Sequence, residues 1–260
     1  MKTLAVIPAR FASTRFPGKP LAKISGKPMI QCVYERTKSC SLVDEVMVAT
    51  DDMRIYQVVE DLGAWVVLTS PECQSGTDRI AEAIHNLDYD IIVNVQGDEP
   101  LLDAKTVDIT IEAILNDAKA DVSTARFPIV IKEDFFSPNI VKVVCDSKNY
   151  ALYFSRSPIP NLERSDKSSK EMINFWGYKH IGLYIYRRDV LLNFAKLKQS
   201  FLEKTEQLEQ LRFLENGYKI KVVDALKDSI PVDTPEDILK VENILKSNSL
   251  KSDSGEKNND

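Results

Sequence analysis

The run Leu4-Ala5-Val6-Ile7-Pro8-Ala9-Arg10 constrains this chain more than any other stretch. It has strand length and no polar alternation, the pattern of a strand covered on both faces, as in a parallel sheet. It empties into Phe11-Ala12-Ser13-Thr14-Arg15-Phe16-Pro17-Gly18-Lys19-Pro20. Open α/β sheets present their ligand sites on such loops, at the carboxyl ends of the strands. Arg10, Arg15 and Lys19 put three positive charges on this loop, and no Asp or Glu lies between Met1 and Lys27. Such a loop suits a strongly anionic ligand; a merely solvated basic loop is the plainer reading. Neither the Gly-x-x-x-x-Gly-Lys-Ser/Thr nor the Gly-x-Gly-x-x-Gly phosphate motif is present.

The rhythm continues. Spacing predicts a turn at residues 24–28, a helix over 29–38 with Ile30, Val33 and Tyr34 inward, and a strand over 46–50. A helix carrying Ile55, Val58, Val59 and Leu62 follows Asp51-Asp52 and stops at Gly63, and 65–68 is the third strand. Strand and helix alternating in this way argue a parallel sheet with helices on both faces. Gln74-Ser75-Gly76-Thr77-Asp78-Arg79 opens the next helix, either as a close backbone approach to a ligand or as a plain N-cap.

Ile91-Ile92-Val93-Asn94-Val95 then runs into Gln96-Gly97-Asp98-Glu99-Pro100, which brings Asp98 to the rim that holds the first loop. Magnesium takes one or two protein carboxylates together with phosphate oxygens, so Asp98 is a metal-ligand candidate, with helix capping as the alternative. A helix is expected over 105–118. Beyond Ala120 the character changes. Strands over 123–129, 140–145, 150–156 and 178–186 suggest antiparallel pairing and a mixed sheet, and 161–174 reads as a mobile loop. One helix is expected over 202–216 and a strand over 220–223. The last helix opens at Thr234-Pro235 with Asp237 completing the cap, which leaves Asp233 just outside it, facing a ligand or serving as a capping acid. Residues 247–260 read as a disordered tail.

The 260 residues carry a net charge of -5, so nucleic acid is not an expected partner and the basic first loop stands out against an acidic background. No apolar run approaches the ~20 residues of a membrane span, and the chain enters its first strand without a signal-peptide pattern. A cytoplasmic location and no membrane partner are expected. Cys32, Cys40, Cys73 and Cys145 form no Cys-x-x-Cys pair and lie far in sequence from His85 and His180, so reduced thiols are expected.

Several blocks in order give the chain a resemblance to the 3-deoxy-manno-octulosonate (Kdo) cytidylyltransferase family over residues 1–246: Ile7 to Pro20, Ser75-Gly-Thr-Asp-Arg, Val93-Asn-Val-Gln-Gly-Asp-Glu-Pro, Tyr150-Ala-Leu-Tyr-Phe-Ser-Arg, Lys179-His-Ile-Gly-Leu-Tyr, Leu208-Glu-Gln-Leu-Arg and Val232-Asp-Thr-Pro-Glu-Asp. The resemblance implies an α/β, Rossmann-like nucleotidyltransferase fold with a mainly parallel, mixed central sheet and a smaller sugar-binding and dimerisation subdomain. The chain would be one domain, 1–246: a nucleotide-binding part (1–119), a sugar and dimer part (about 120–215) and a return to the main sheet (216–246).

It also implies transfer of a cytidylyl group from CTP to the anomeric hydroxyl of Kdo, with loss of pyrophosphate, in lipopolysaccharide synthesis. Phosphate and nucleotide contacts fall to Arg10, Ser13, Arg15 and Lys19, with Ser75 and Arg79 near the cytosine. Asp98 and Asp233 are implied as Mg2+ ligands. Gln96, Arg156, His180, Tyr184, Glu209 and Gln210 are implied around the sugar, with Arg156 pairing its carboxylate. Without the resemblance, His180 reads as a packed histidine and Glu209 and Gln210 as a solvated helix face. A homodimer is implied. The 8-amino analogue of Kdo, on which a close relative of the family acts, is the alternative substrate: Phe16 in place of the more familiar Leu before Pro-Gly-Lys, with Tyr178-Lys-His, does not exclude it. A non-catalytic nucleotide-binding module is the alternative from another class.

Overall fold

The computed structural model describes residues 1–12, 16–162 and 175–255, with side chains through residue 247. The first strand, β1 (Thr3–Ala9), is followed by a single 3-10 turn at Lys19–Leu21 and a small hairpin of β2 (Lys23–Ile24) and β3 (Lys27–Pro28). Then come α1 (Met29–Lys38), β4 (Glu45–Thr50), α2 (Met53–Asp61), β5 (Trp65–Leu68), α3 (Gly76–Ala83), β6 (Ile91–Asn94) and α4 (Ala104–Leu115). The second half holds β7 (Val122–Ile129), α5 (Lys132–Phe136), β8 (Lys142–Cys145), β9 (Ala151–Ser155), β10 (Gly177–Arg187), α6 (Arg188–Phe194), α7 (Phe201–Glu206), α8 (Gln210–Glu215), β11 (Ile220–Asp224) and α9 (Pro235–Gly255).

The main sheet has the order β11-β7-β10-β6-β1-β4-β5. Every strand in that path runs parallel except β10, which is antiparallel to both β6 and β7. The sheet is therefore mixed and mainly parallel. β7 and β10 are members of it, while β8 and β9 branch off the start of β10, where Tyr178 pairs with Val143. From β1 the chain builds outward through β4 and β5, then returns to lay β6 on the other side of β1. That reversal opens a crevice between the carboxyl ends of β1 and β6, where open α/β sheets bind their ligands.

Burial explains why the strand signal was so plain. Along β1, Ala5, Ile7 and Ala9 pack into one core with Ile30 and Val33 of α1, Ile55 and Val59 of α2, and Val107 of α4. Leu4 and Val6 pack into the opposite core with Ile80 of α3 and Ile84 just after it, Leu191 and Phe194 of α6, and Leu211 and Phe213 of α8. Alternate residues from Leu4 to Ala9 face different helix layers, so the run between them is apolar throughout.

Three expectations change. The helix expected over 202–216 is two helices, broken at Gln207, which takes a left-handed conformation (φ 55°, ψ 48°). The break brings Arg212 onto Glu203: Nε donates to Oε2 at 2.7 Å and Nη2 donates to Oε1, in a nearly fully buried pair. On one straight helix, residues nine apart would be separated by about 13.5 Å along the axis and could not meet. Second, α9 runs to Gly255, so the tail expected to be disordered from 247 begins as helix. No Gly or Pro occurs between Pro235 and Gly255 to stop it. Third, α5 and α6 are short helices that sequence periodicity did not reveal. Of the expected loop 161–174, residues 163–174 lie outside the described residues.

Candidate active site

The Lys19 side is set by the turn before it. The Lys19 N–H donates to the Phe16 carbonyl at 3.2 Å and the Gly18 N–H to the Phe11 carbonyl at 3.0 Å. Gly18 holds φ +71°, and a Cβ there would lie 3.0 Å from the Phe11 ring, so both backbone angle and space call for glycine. The turn starts the 3-10 segment with Lys19 aimed back at the crevice.

The Asp98 side is set by Gly97. A Cβ at Gly97 would lie 3.0 Å from the carbonyl oxygen of Pro8, so only glycine lets the end of β6 close on the end of β1. Two links then bring in the distant C-terminal segment. The Val232 N–H donates to the Asp98 carbonyl at 2.9 Å, and the Ser229 hydroxyl donates to the Glu99 carboxylate. Glu99 is buried, and burial raises its pKa to about 7 despite that hydrogen bond. Asp237 accepts from the Asp233 and Thr234 N–H groups at 3.1 and 3.0 Å. Asp237 thus does the capping, which takes that alternative role away from Asp233.

The result is convergence. Lys19 Nζ lies 2.6 Å from Asp98 Oδ2 and 3.6 Å from Asp233 Oδ1. These groups share a cavity of about 320 Å³ with Arg10, Ser75, Arg79, Gln96 and Glu209. Ser75 is the N-cap of α3, its hydroxyl accepting from the Asp78 N–H at 3.1 Å, so the capping and cavity-lining readings hold together. Arg79 is 3% exposed and its guanidinium is turned to protein, donating to the Thr69 hydroxyl and, at 2.7 Å, to Asp51. It lines the wall and ties α3 to the ends of β4 and β5. Ser13 and Arg15 lie outside the described residues.

A second cavity of about 290 Å³ adjoins the first, and Gly76, Gln96 and Glu209 line both. It opens where β10 leaves β8 after Lys179 and joins β6 from Tyr184 on. His180, Tyr184 and Gln210 line it, as expected. His180 sits against Phe154 and Tyr184, with ring centroids 5.0 and 5.2 Å away. Burial pushes its pKa down to about 3, so the ring is neutral at pH 7. Burial likewise raises Tyr184. Glu209 is raised by burial too, and its Oε2 is buried without a hydrogen-bond partner among the described residues. A carboxylate oxygen left so on the wall between two cavities is suited to accept from a ligand hydroxyl.

Arg156 is placed differently from its expected role. It lines neither of these cavities. Its Nε donates to the Glu206 carbonyl at 2.9 Å, Nη1 to the Pro138 carbonyl at 3.0 Å and Nη2 to the Gln207 carbonyl at 3.4 Å. The guanidinium holds the helix break from behind. Buried Lys142 supports the same corner, donating to the carbonyls of Ser137, Ile140 and Arg156. Several wall residues were not foreseen: Thr77, Asn94, Tyr186 and Gln207. Gln96 Nε2 donates to Asn94 Oδ1 at 3.0 Å, and Asn94 and Thr77 hydrogen-bond to Tyr186. An Asn in an otherwise apolar central strand was the available signal for Asn94; Gln207 carried none.

A two-cavity cleft at the switch point of a mainly parallel sheet, with lysine and two aspartates on one side and neutral polar aromatics on the other, defines a nucleotidyltransferase of Rossmann-like fold. Comparisons narrow the class. The Cytidylyltransferase family model matches residues 4–220. The 3-deoxy-manno-octulosonate cytidylyltransferase of Geotalea uraniireducens is 53% identical over 250 residues, covering 95% of this chain and all of that protein. That of Thermodesulfovibrio yellowstonii is 50% identical over 254 residues, covering 94% and 98%. A solved structure of CMP:2-keto-3-deoxy-manno-octonic acid synthetase complexed with CTP superposes with a TM-score of 0.88 at 40% identity, covering 95% of this chain and all of that one. The chain belongs to the 3-deoxy-manno-octulosonate cytidylyltransferase family.

Proposed function

We propose that this chain joins CTP and Kdo: the anomeric hydroxyl oxygen of the sugar bonds to the α-phosphorus, the bond to the β-phosphate breaks, and CMP-Kdo, pyrophosphate and a proton result. The observation that carries this reading is the adjacency of the two cavities across Gln96 and Glu209. A nucleotide held on the Lys19 side and a sugar held on the His180 side would meet at that wall. Such a transfer needs in-line positioning and charge neutralisation more than a covalent nucleophile. Arg10 and Lys19 supply positive charge to the phosphates, and Ser13 and Arg15 of the same loop are expected to add to it. Gln96, His180, Tyr184, Glu209 and Gln210 orient the sugar.

The donor set at the rim fits magnesium. Asp98 and Asp233 offer hard carboxylate oxygens around a single ammonium, which already stands in for a cation between them. Among the described residues no cluster of three or more His, Cys, Asp or Glu could hold a metal, and magnesium needs only one or two carboxylates when phosphates complete its shell. Asp98 and Asp233 would hold it, and when bound it neutralises triphosphate charge and polarises the α-phosphate. No helix among the described residues is long and apolar enough to cross a membrane. We place the reaction in the cytoplasm and infer a homodimer assembled through the second half of the chain.

Pyrophosphate release tests the reading. It should require CTP, Kdo and Mg2+ together, with UTP, ATP, GTP and the 8-amino sugar as controls. A chain that binds CTP yet releases no pyrophosphate with either sugar would be the non-catalytic module instead.

A further inference from the structure

β10 does not pair evenly with β7. His180 and Ile181 face Arg126 and Ala125, but the next paired residue is Tyr184, facing Thr124, so Gly182 and Leu183 bulge out of register. At and beside the bulge, His180, Gly182 and Tyr184 line the second cavity. Thr124, fully buried, is the side chain that fills the bulge. Its hydroxyl oxygen lies 2.6 Å from the Leu183 carbonyl, 3.3 Å from the Ile181 carbonyl and 2.9 Å from His180 Nε2.

A threonine hydroxyl has one proton to give. Two carbonyl oxygens compete for it, and neither can donate in return, so the proton lies toward Leu183, the shorter contact. The hydroxyl then faces Nε2 with a lone pair, and only an N–H can meet it there. A neutral imidazole carries a single N–H, so if that proton is on Nε2, Nδ1 is left as an acceptor. The aromatic contacts of Phe154 and Tyr184 hold the ring in this plane.

We propose that Thr124 is a positioning residue: it fixes His180 in the Nε2–H tautomer, so that the imidazole meets the sugar with Nδ1 as the acceptor of a sugar hydroxyl. The assignment rests on the reading of the second cavity as the sugar site, but the tautomer is a property of the protein alone and is measured without substrate. The sugar would bring a donor to His180, and an analogue with that hydroxyl methylated would lose the contact.

Two-dimensional ¹⁵N–¹H correlation of the imidazoles of the full-length protein is the first test. The chain has only two histidines, and a His85→Gln variant assigns them. His180 should show a pyridine-type Nδ1 and a pyrrole-type Nε2 at pH 7; an Nδ1–H tautomer or an imidazolium overturns the proposal whatever the enzyme does. The second test is Thr124→Val, which keeps the branched shape and removes the hydroxyl. It should blur the two ¹⁵N shifts toward a tautomer mixture. One neutral hydrogen bond is worth about 1 kcal/mol, so KM for the sugar should rise about fivefold while KM for CTP stays within about twofold. Thr124→Ser should restore both readouts. Unchanged shifts in the valine variant, or an equal rise in both KM values, overturn a positioning role. If the valine variant does not fold, Thr124→Ala, which also removes the hydroxyl, takes its place and decides between the same two outcomes.

Discussion

On the side of the cleft proposed above to take the nucleotide, Lys19, Ser75 and Asp98 sit on loops or a helix start just beyond the ends of parallel strands. On the side proposed to take the sugar, His180 and Tyr184 sit on the body of an antiparallel strand, at a bulge, and Glu209 sits at a break between two helices. The first arrangement needs only that strands run parallel and end together, because every loop then leaves at the same rim. The second needs a local irregularity at each point, held by buried partners. The nucleotide side should therefore fail chemically when a side chain is changed, whereas the sugar side should also fail structurally when a partner remote from the cleft is removed.

The largest effect belongs to the nucleotide side. Asp98→Asn keeps the shape of the side chain and removes its charge beside Lys19. Turnover with Mg2+ should fall about a thousandfold, in the range seen when one electrostatic group at a reacting centre is lost. Thermal stability should change little, because Asp98 is partly exposed and its segment is held by the Val232 backbone link. Calorimetric titration of Mg2+ with CTP present should show weaker binding in parallel. Normal turnover in this variant would remove Asp98 from the metal site.

Glu203→Ala breaks the comparison from the other side. It lines neither cavity, yet it holds Arg212 and completes a capping box with Ser200. Removing one partner of a buried pair leaves the other charge uncompensated, at a cost of about 3 kcal/mol. Urea unfolding should show that loss. In the fraction that stays folded, KM for the sugar should rise more than KM for CTP, because Glu209 and Gln210 hang on the same break. Equal effects on both substrates would mean that the break does not serve the sugar side in particular.

This difference also decides how much was legible from sequence. β1, β4 and β6 announced themselves because both faces are buried, and the motif residues at their ends followed. Asp233 was legible only as standing at the edge of the last helix, with capping as an open alternative, and it is the hydrogen bonds to Asp237 that remove that alternative. Gln207 was not legible, since glutamine is an ordinary helix former and the break is accompanied by a contact between Glu203 and Arg212 that no local pattern encodes. Arg156 was legible as a charge but not as a brace: a guanidinium suits a carboxylate, and in the fold it is spent on three backbone carbonyls. Thr124 was silent, since a threonine in a strand is unremarkable until its neighbour bulges.

A smaller effect is expected at the wall that the cavities share. Glu209→Gln keeps a hydrogen-bonding group but loses the charge. The charge adds about 1 kcal/mol to such a hydrogen bond, so kcat/KM for the sugar should fall about fivefold. Binding of CTP alone should be nearly unchanged, since Lys19, Arg10 and Ser75 are untouched. Loss of CTP affinity by the same factor would move Glu209 to the nucleotide side.

The smallest effect is a dependence of stability on pH, and it belongs to the sugar side. His180 is held down to about 3 by burial, whereas in the unfolded chain a histidine titrates near 6.5. Between those values the unfolded state binds a proton that the fold refuses, so this contribution to stability is complete above pH 6.5 and is lost as the pH falls through that window. Between pH 7 and pH 5.5 the His180 share should be about 1 kcal/mol, read as the difference in urea midpoints between the wild type and His180→Asn, because Glu99, raised to about 7, shifts stability the other way over the same window. His180→Asn should remove that part of the slope, while Asp98→Asn, on the other side of the cleft, should leave it in place. A slope identical in the wild type and the His180 variant would mean that the imidazole takes up its proton within the fold, and the neutral acceptor assigned to the sugar side would fall with it.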